Sequence, residues 1–492
     1  MNRKYKLVSI STFLLVTICF SFAPIATATS TTANIPSISA AQNASSTVLP
    51  RLTVSDNGRF LMTADGQPFF WLGDTAWMLI SRLNREEVNR YLQNRLANGF
   101  NVIQIVILTE YDLDTPNAYG ELALSDNDPL KPNEAYFEYV DWVIERAAEL
   151  GLYVGLLPTW GDKVNLKNGL GPEIFTPANA RLFGEFVGKR YGSASNVIWI
   201  LGGDRNPEND THMEIWREMA AGIEGSAGKL ALITYHPRGQ KNSVQWFNKD
   251  AVFDFNLVQS GQAFRDMPVW EYIAKSYEVS PAKPVFDAEI NYEGHAVAKN
   301  PQYGYFTEYD VRKQSYRSVF AGGAGVTYGH HSIWQFFALG RKSIGFAEVY
   351  WYDALNTPGA LEMRYLKQLM LSRPYFDRVP DPKMFLDAAS ENTPNETPAT
   401  HSVATRASDG SYAMIYIPTN RPLNIDLSRL SGNMIRAWWY DPRTGESVLV
   451  GEFAKSEPHK FLPPANHQDW VLVLDDAALG FDAPGIVISQ TQ

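Results

Sequence analysis

The chain has 492 residues, of which 45% are hydrophobic, 13% aromatic and 20% charged, too apolar a composition for intrinsic disorder. A net charge of −10 without a basic stripe excludes a nucleic-acid partner, because phosphate neutralisation needs clustered cations. The single cysteine, Cys19, excludes a disulfide scaffold and every cysteine-based zinc site.

Arg3, Lys4 and Lys6 precede an apolar run from Leu7 to Ile25, and Ala26-Thr27-Ala28 follows as a small-residue cleavage pattern. This reads as a secretory signal, residues 1–28, whose removal takes three positive charges and leaves −13. The expected location is therefore secreted or periplasmic. No later apolar run approaches the ~20 residues of a membrane span. Residues 29–50 are rich in Ser, Thr and Ala and read as a disordered spacer.

From Arg51 the text alternates short apolar runs with helical stretches. Ser55-Asp56-Asn57-Gly58 marks a small hairpin. Eight strands are predicted: Phe69–Asp74, Asn101–Leu108, Leu152–Pro158, Asn196–Asp204, Leu230–His236, Phe253–Gln259, Pro284–Glu289 and Gly325–Gly329. Asn84 with Glu87 three residues on reads as a capping box, and Thr176-Pro177 as a cap with proline at the first helical position. Between strands five and six the helix is short or missing, near Ser243–Phe247. Strands alternating with helices imply a parallel sheet, closed most simply as a (β/α)8 TIM barrel over residues 51–385; an open doubly wound sheet is the alternative. Beyond a polar link at Thr393–Pro398, residues 395–480 read as an antiparallel β-sandwich, with strands at Tyr412–Ile417, Met434–Tyr440, Glu446–Val450, Lys460–Leu462 and Trp470–Leu474.

Barrel active sites lie at the C-terminal ends of the strands. Those ends carry Asp74 and Trp77, Trp160, Asp204 and Arg205, His236 and Arg238, Gln259, Asp287 and Glu289 with Tyr292, and His330 with Trp334. Aromatic faces for sugar C–H surfaces, polar groups for hydroxyls and paired carboxyls for acid/base work suit a sugar site. Strand alternation predicts that Val285, Asp287 and Glu289 face inward while Phe286 and Ala288 face the helices. The same parity puts Ile198, Ile200, Gly202 and Asp204 on one face. No His-Glu-x-x-His spacing supports a metal, and no Gly-x-Gly-x-x-Gly or Gly-Lys-Ser/Thr loop supports a nucleotide, so no cofactor is expected.

The segments Phe70–Trp77, Trp199–Asp204 and Pro284–Glu293, with Trp439–Gly445 further on, resemble the apiosidase-like glycoside hydrolases, glycoside hydrolase family 140. The resemblance implies a (β/α)8 domain followed by a C-terminal β-sandwich. It also implies hydrolysis of the apiose–galacturonic acid linkage in rhamnogalacturonan-II side chains, a plant cell-wall oligosaccharide substrate. Its catalytic aspartate and glutamate fall on Asp204, as acid/base, and Glu289, as nucleophile. Ile290 stands where the family motif often has proline. Another furanoside or pectin side-chain linkage, or a non-catalytic carbohydrate-binding or surface-adhesion protein, are the alternatives. Lys163, Arg205, Arg238 and Arg265 follow strands three to six and are candidates to hold a uronate carboxylate.

Overall fold

A computed structural model describes residues 49–111, 113–386, 397–456, 459–464 and 468–487. The signal segment, nearly all of the spacer and most of the polar link lie outside the described residues. The hairpin forms as expected, Leu52–Val54 pairing antiparallel with Leu61–Thr63.

Eight parallel strands follow: β1 (Trp71–Thr75), β2 (Val102–Leu108), β3 (Tyr153–Thr159), β4 (Val197–Gly202), β5 (Ile233–His236), β6 (Asn256–Gln259), β7 (Val285–Glu289) and β8 (Gly325–Tyr328). They pair in cyclic order, with β8 against β1. The circle closes at a seam between β5 and β6. There Asp254 N–H donates to Ile233 O at 2.8 Å, and Thr234 Oγ1 donates to Phe255 O at 2.6 Å. A short strand, Lys241–Asn242, adds antiparallel to β6. The fold is thus a TIM barrel, with a helix layer outside it.

Local chemistry sets the helix ends. In α2 (Arg85–Ala97) Asn84 Oδ1 accepts from Glu87 N–H while Glu87 Oε2 accepts from Asn84 N–H, both at 3.0 Å. In α4 (Pro177–Tyr191) Thr176 and Asn179 exchange the same two bonds, and Gly192 ends the helix. Between β5 and β6 the helix is one turn, Val244–Phe247. Inside the barrel, Trp71 packs on Phe286 with ring centroids 5.4 Å apart, and Trp71 Nε1 donates to Thr327 Oγ1. The interior is therefore a packed core that floors any site above it.

After α8 (Glu308–Phe320) and α9 (Pro358–Met370) the chain becomes all-β. Its strands are β9 (Arg378–Pro380), β10 (Val403–Ala407), β11 (Tyr412–Ile417), β12 (Leu423–Ile425), β13 (Met434–Tyr440), β14 (Ser447–Ala454), β15 (His459–Phe461) and β16 (Trp470–Asp476). A six-stranded antiparallel sheet, ordered β9-β10-β11-β16-β13-β14, is faced by the pair β12-β15. Ala413, Ile415 and Ile417 meet Leu423, Ile425 and Phe461 in the sandwich core. Alternate residues Tyr412, Met414 and Tyr416 join the barrel's core instead. Three strands had no expectation from sequence: β9, β10 and β12. Strand β9 precedes residue 385, yet pairs with β10 in this second sheet.

Candidate active site

Strand β4 delivers Asp204 through an uncommon backbone path. Gly202, Gly203 and Asp204 have φ of 86°, 112° and 56° in succession. A Cβ at Gly202 would lie 2.4 Å from His236 O, and one at Gly203 would lie 2.8 Å from the Trp160 ring. Both positions therefore demand glycine, and the turn they make puts Asp204 at the mouth of the barrel. Arg205 secures it: its guanidinium donates to Asp204 O at 2.8 Å, lies 3.6 Å from Asp204 Oδ2, and pairs with Glu110. Tyr235 OH donates to Arg205 O at 2.7 Å.

Strand β7 delivers Glu289 through a bulge. Val258 pairs with Asp287 but Gln259 pairs with Glu289, so Ala288 is skipped in the ladder. This corrects the expected parity. Phe286 faces the barrel interior, packed on Trp71 and Phe255. Asp287 faces the helix layer, accepting from Ser260 Oγ at 2.7 Å and from Ser318 Oγ of α8 at 3.0 Å. The bulge then turns Glu289 into the cleft. Its Oε1 accepts from Gln259 Nε2 at 2.6 Å and Gln262 Nε2 at 3.1 Å, and Trp77 Nε1 donates to the adjacent Tyr292 OH at 3.0 Å.

Asp204 and Glu289 line one cavity of about 910 Å³ with Trp77, Trp160, Tyr292 and Trp334. A second lobe of about 1010 Å³ adjoins it, lined by Arg205, Arg238, Gln259, Phe264 and Lys299. Asp204, Glu110 and Gln262 border both lobes, whereas Glu289 borders only the first.

Burial raises the Glu289 carboxyl well above the carboxylate range, and the charge of Asp204 pushes it the same way. Donors from Tyr292, Gln259 and Gln262 oppose that shift. His236 stands behind Glu289, Nε2 to Oε2 at 3.7 Å, but burial lowers it to about 4. At neutral pH it is an uncharged neighbour, not an ion-pair partner. Burial likewise lowers His331, on the cavity wall, to about 4.

Four other expected positions do not line the cleft. Asp74 is buried under the cleft, its Oδ2 accepting from Tyr91 OH at 2.6 Å and 3.4 Å from Arg95. Asp287 is in the strand–helix layer. His236 and His330 line neither lobe; His330 Nδ1 accepts from Ser332 N–H. Burial next to α2 claims Asp74, and the bulge redirects Asp287. Of the four candidate cations, Lys163 is buried against Asp162 and Gly171 O, Arg265 pairs with Asp310, and Arg205 with Glu110. Arg238 reaches the second lobe with no ion pair among the described residues.

Sequence reasoning passed over Tyr111, Gln262, His295 and Lys299, which also line the cleft, and placed Glu110 after strand two without giving it a role. Glu110 was legible as the end of β2. Lys299 was not: Ala298 and Lys299 carry it in on two left-handed residues, φ 52° and 59°, a path no glycine or asparagine announces.

A TIM barrel with a carboxylate-bearing, indole-walled cleft at the C-terminal pole has the parts that glycoside hydrolysis requires. A family model described as "Apiosidase-like, catalytic domain" matches residues 55–377, and one described as "Putative collagen-binding domain of a collagenase" matches residues 379–475. The chain belongs to the apiosidase-like family. It is similar to a crystal structure described as a glycoside hydrolase family 5 protein from Bacteroides vulgatus ATCC 8482. Identity there is 33%, the TM-score 0.79, and coverage 88% of this chain and 95% of that one. A second solved structure, described as a glycoside hydrolase, is 35% identical with a TM-score of 0.80, covering 88% and 98%. Among curated proteins, none matches.

Proposed function

We propose that this glycosidase cleaves the apiose–galacturonic acid linkage of rhamnogalacturonan-II side chains, with Glu289 as nucleophile and Asp204 as acid/base. The observation that carries the reading is that Asp204 borders both lobes and Glu289 only one. An acid must face the oxygen that departs, so the boundary between lobes is the scissile bond. The first lobe takes the sugar whose anomeric carbon reacts, and the second takes the leaving group.

In the first step Glu289 attacks the anomeric carbon as Asp204 gives its proton to the leaving oxygen, and the glycosidic bond breaks. In the second, Asp204 removes a proton from water, which displaces Glu289 and frees the sugar. Burial and the charge of Asp204 hold a proton on Glu289 to higher pH, so attack requires that proton to leave Glu289 first. Arg238 and Lys299 supply the positive charge that a uronate leaving group needs. Together with Arg205 they set three cations against Glu110 and Asp204 in that lobe, on a chain whose net charge is −10. The signal-like run at residues 3–28 supports export towards such a substrate.

The test is incubation with rhamnogalacturonan-II side-chain oligosaccharides and identification of the released sugar. Apiose is expected as the new reducing end. Asp204→Asn and Glu289→Gln are each expected to abolish release, a fall of at least about 10³-fold, without lowering the thermal midpoint. Release of another sugar overturns the substrate; activity retained in either variant overturns the assigned pair.

A further inference from the structure

We propose that a surface groove continuing from the second lobe binds the sugar chain attached to the leaving group, so that the enzyme takes its linkage on an intact galacturonan strand. This rests on the reading that the second lobe is the leaving-group side. The groove encloses about 930 Å³, and Phe264 and Ala298 form part of the wall of both it and the second lobe. Its far wall carries Tyr303. A chain leaving the catalytic pair therefore passes Arg238 and Lys299, then Phe264, then Tyr303.

Phe264 and Tyr303 are 61% and 62% exposed, a large apolar surface to leave in water on two separate loops. Both loops are nonetheless held firmly together. Arg265, next to Phe264, donates to Tyr303 O and to Tyr305 O while paired with Asp310 at 2.6 Å. Ala298 N–H donates to Gln262 O at 2.9 Å, tying the same loops a second time. The two aromatic faces are thus fixed in advance and lose little freedom on meeting a ligand. Separate rings in polar surroundings suit sugar rings, which offer a C–H face to stack and hydroxyls to water. Continuity with the cationic lobe selects an acidic sugar chain over a polypeptide.

The experiment uses the full chain and measures calorimetric affinity for digalacturonate and hexagalacturonate, neither of which carries the linkage to be cut. Affinity is expected to rise about tenfold or more with length. Tyr303→Ala, which touches the groove alone, is expected to remove about five- to tenfold for the hexamer and nothing for the dimer. Phe264→Ala, at the shared wall, weakens both. A length dependence unchanged in Tyr303→Ala, at an unchanged melting midpoint, overturns the groove. So does hexamer binding no tighter than dimer binding. Failure of the substrate reading is read separately: if no apiose is released yet Tyr303→Ala flattens the length dependence, the groove stands and the sugar assignment falls.

Discussion

Asp204 occupies a left-handed backbone conformation that costs most side chains on the order of 1 kcal/mol, though aspartate less than others. The cost persists because its surroundings over-determine it: two glycines no larger residue could replace, and an arginine bonded to its carbonyl. Two glycines running into an acid, Gly202-Gly203-Asp204, make this half of the site legible in the sequence. Glu289 and Tyr292 are legible as residues, but not the burial that raises the carboxyl, nor Gln262, which donates to it from a loop. That environment gives a stability prediction. In the unfolded chain the carboxyl ionises at ~4.3, while in the folded protein burial and Asp204 hold the proton on to higher pH. Between those values the folded state binds more protons than the unfolded one, so folding stability falls as pH rises. Glu289→Gln removes that penalty. The difference in thermal midpoint, variant minus parent, should be near zero at pH 4 and positive by pH 8. A difference that becomes more negative towards pH 8 would show the ionised carboxylate to be stabilising in the fold.

At the scale of single elements, strand existence was written in apolar runs, while strand orientation was not. All eight barrel strands fall where alternation of short apolar and helical text put them. The parity of β7 came out reversed because one residue, Ala288, drops out of the ladder, and a bulge leaves no mark on composition. Asp287 is the residue most affected. With Ser260 on one side and Ser318 on the other, it fastens β7 to α8. Its burial raises it to about 6, so its hydroxyl donors stabilise a carboxyl that is costly to ionise. Asp287→Ala strands two buried hydroxyls and a backbone N–H, and is expected to destabilise the protein by about 2–3 kcal/mol in urea unfolding. The folded fraction should retain most of its kcat/KM. Unchanged stability with lost activity would instead return Asp287 to the cleft. Of the missed strands, β9 and β12 are three residues each, and β10, buried at all but Arg406, shows no alternation to read.

Across the whole molecule, the second sheet is built as part of the barrel and not as an appendage. Helix α8 is buried along its length from Asp310 to Phe320, clamped between barrel and sheet, although Arg312, Lys313 and Arg317 give it the text of a solvated helix. Arg312 and Arg317 are satisfied across the junction, and Lys313 by Asp266 within the barrel. Arg312 makes a two-pronged bond to Asp469, both contacts at 3.0 Å, and Arg373 does the same to Asp475 at 2.8 Å. Tyr316 stacks on Tyr416 at 5.0 Å. Partner choice over such distances in sequence is invisible to local pattern, which is why the two halves read as separable. Because α8 leads into β8 and touches β7 through Ser318, the junction also stiffens the strand that carries Glu289. Asp469→Ala tests this coupling. It leaves Arg312 with Glu362 alone, Arg443 with Asp441 alone, and Tyr416 OH without its acceptor. Losing one member of a buried ion pair costs about 3–5 kcal/mol. Followed by tryptophan fluorescence, which reports both halves because Trp438, Trp439 and Trp470 lie in the sheet, and by residual activity, which reports the barrel, parent and variant should each unfold in one transition, the variant's shifted to lower denaturant with both probes coincident. Two separated transitions, with activity surviving the first, would mean that the sheet melts independently and that α8 needs no cover.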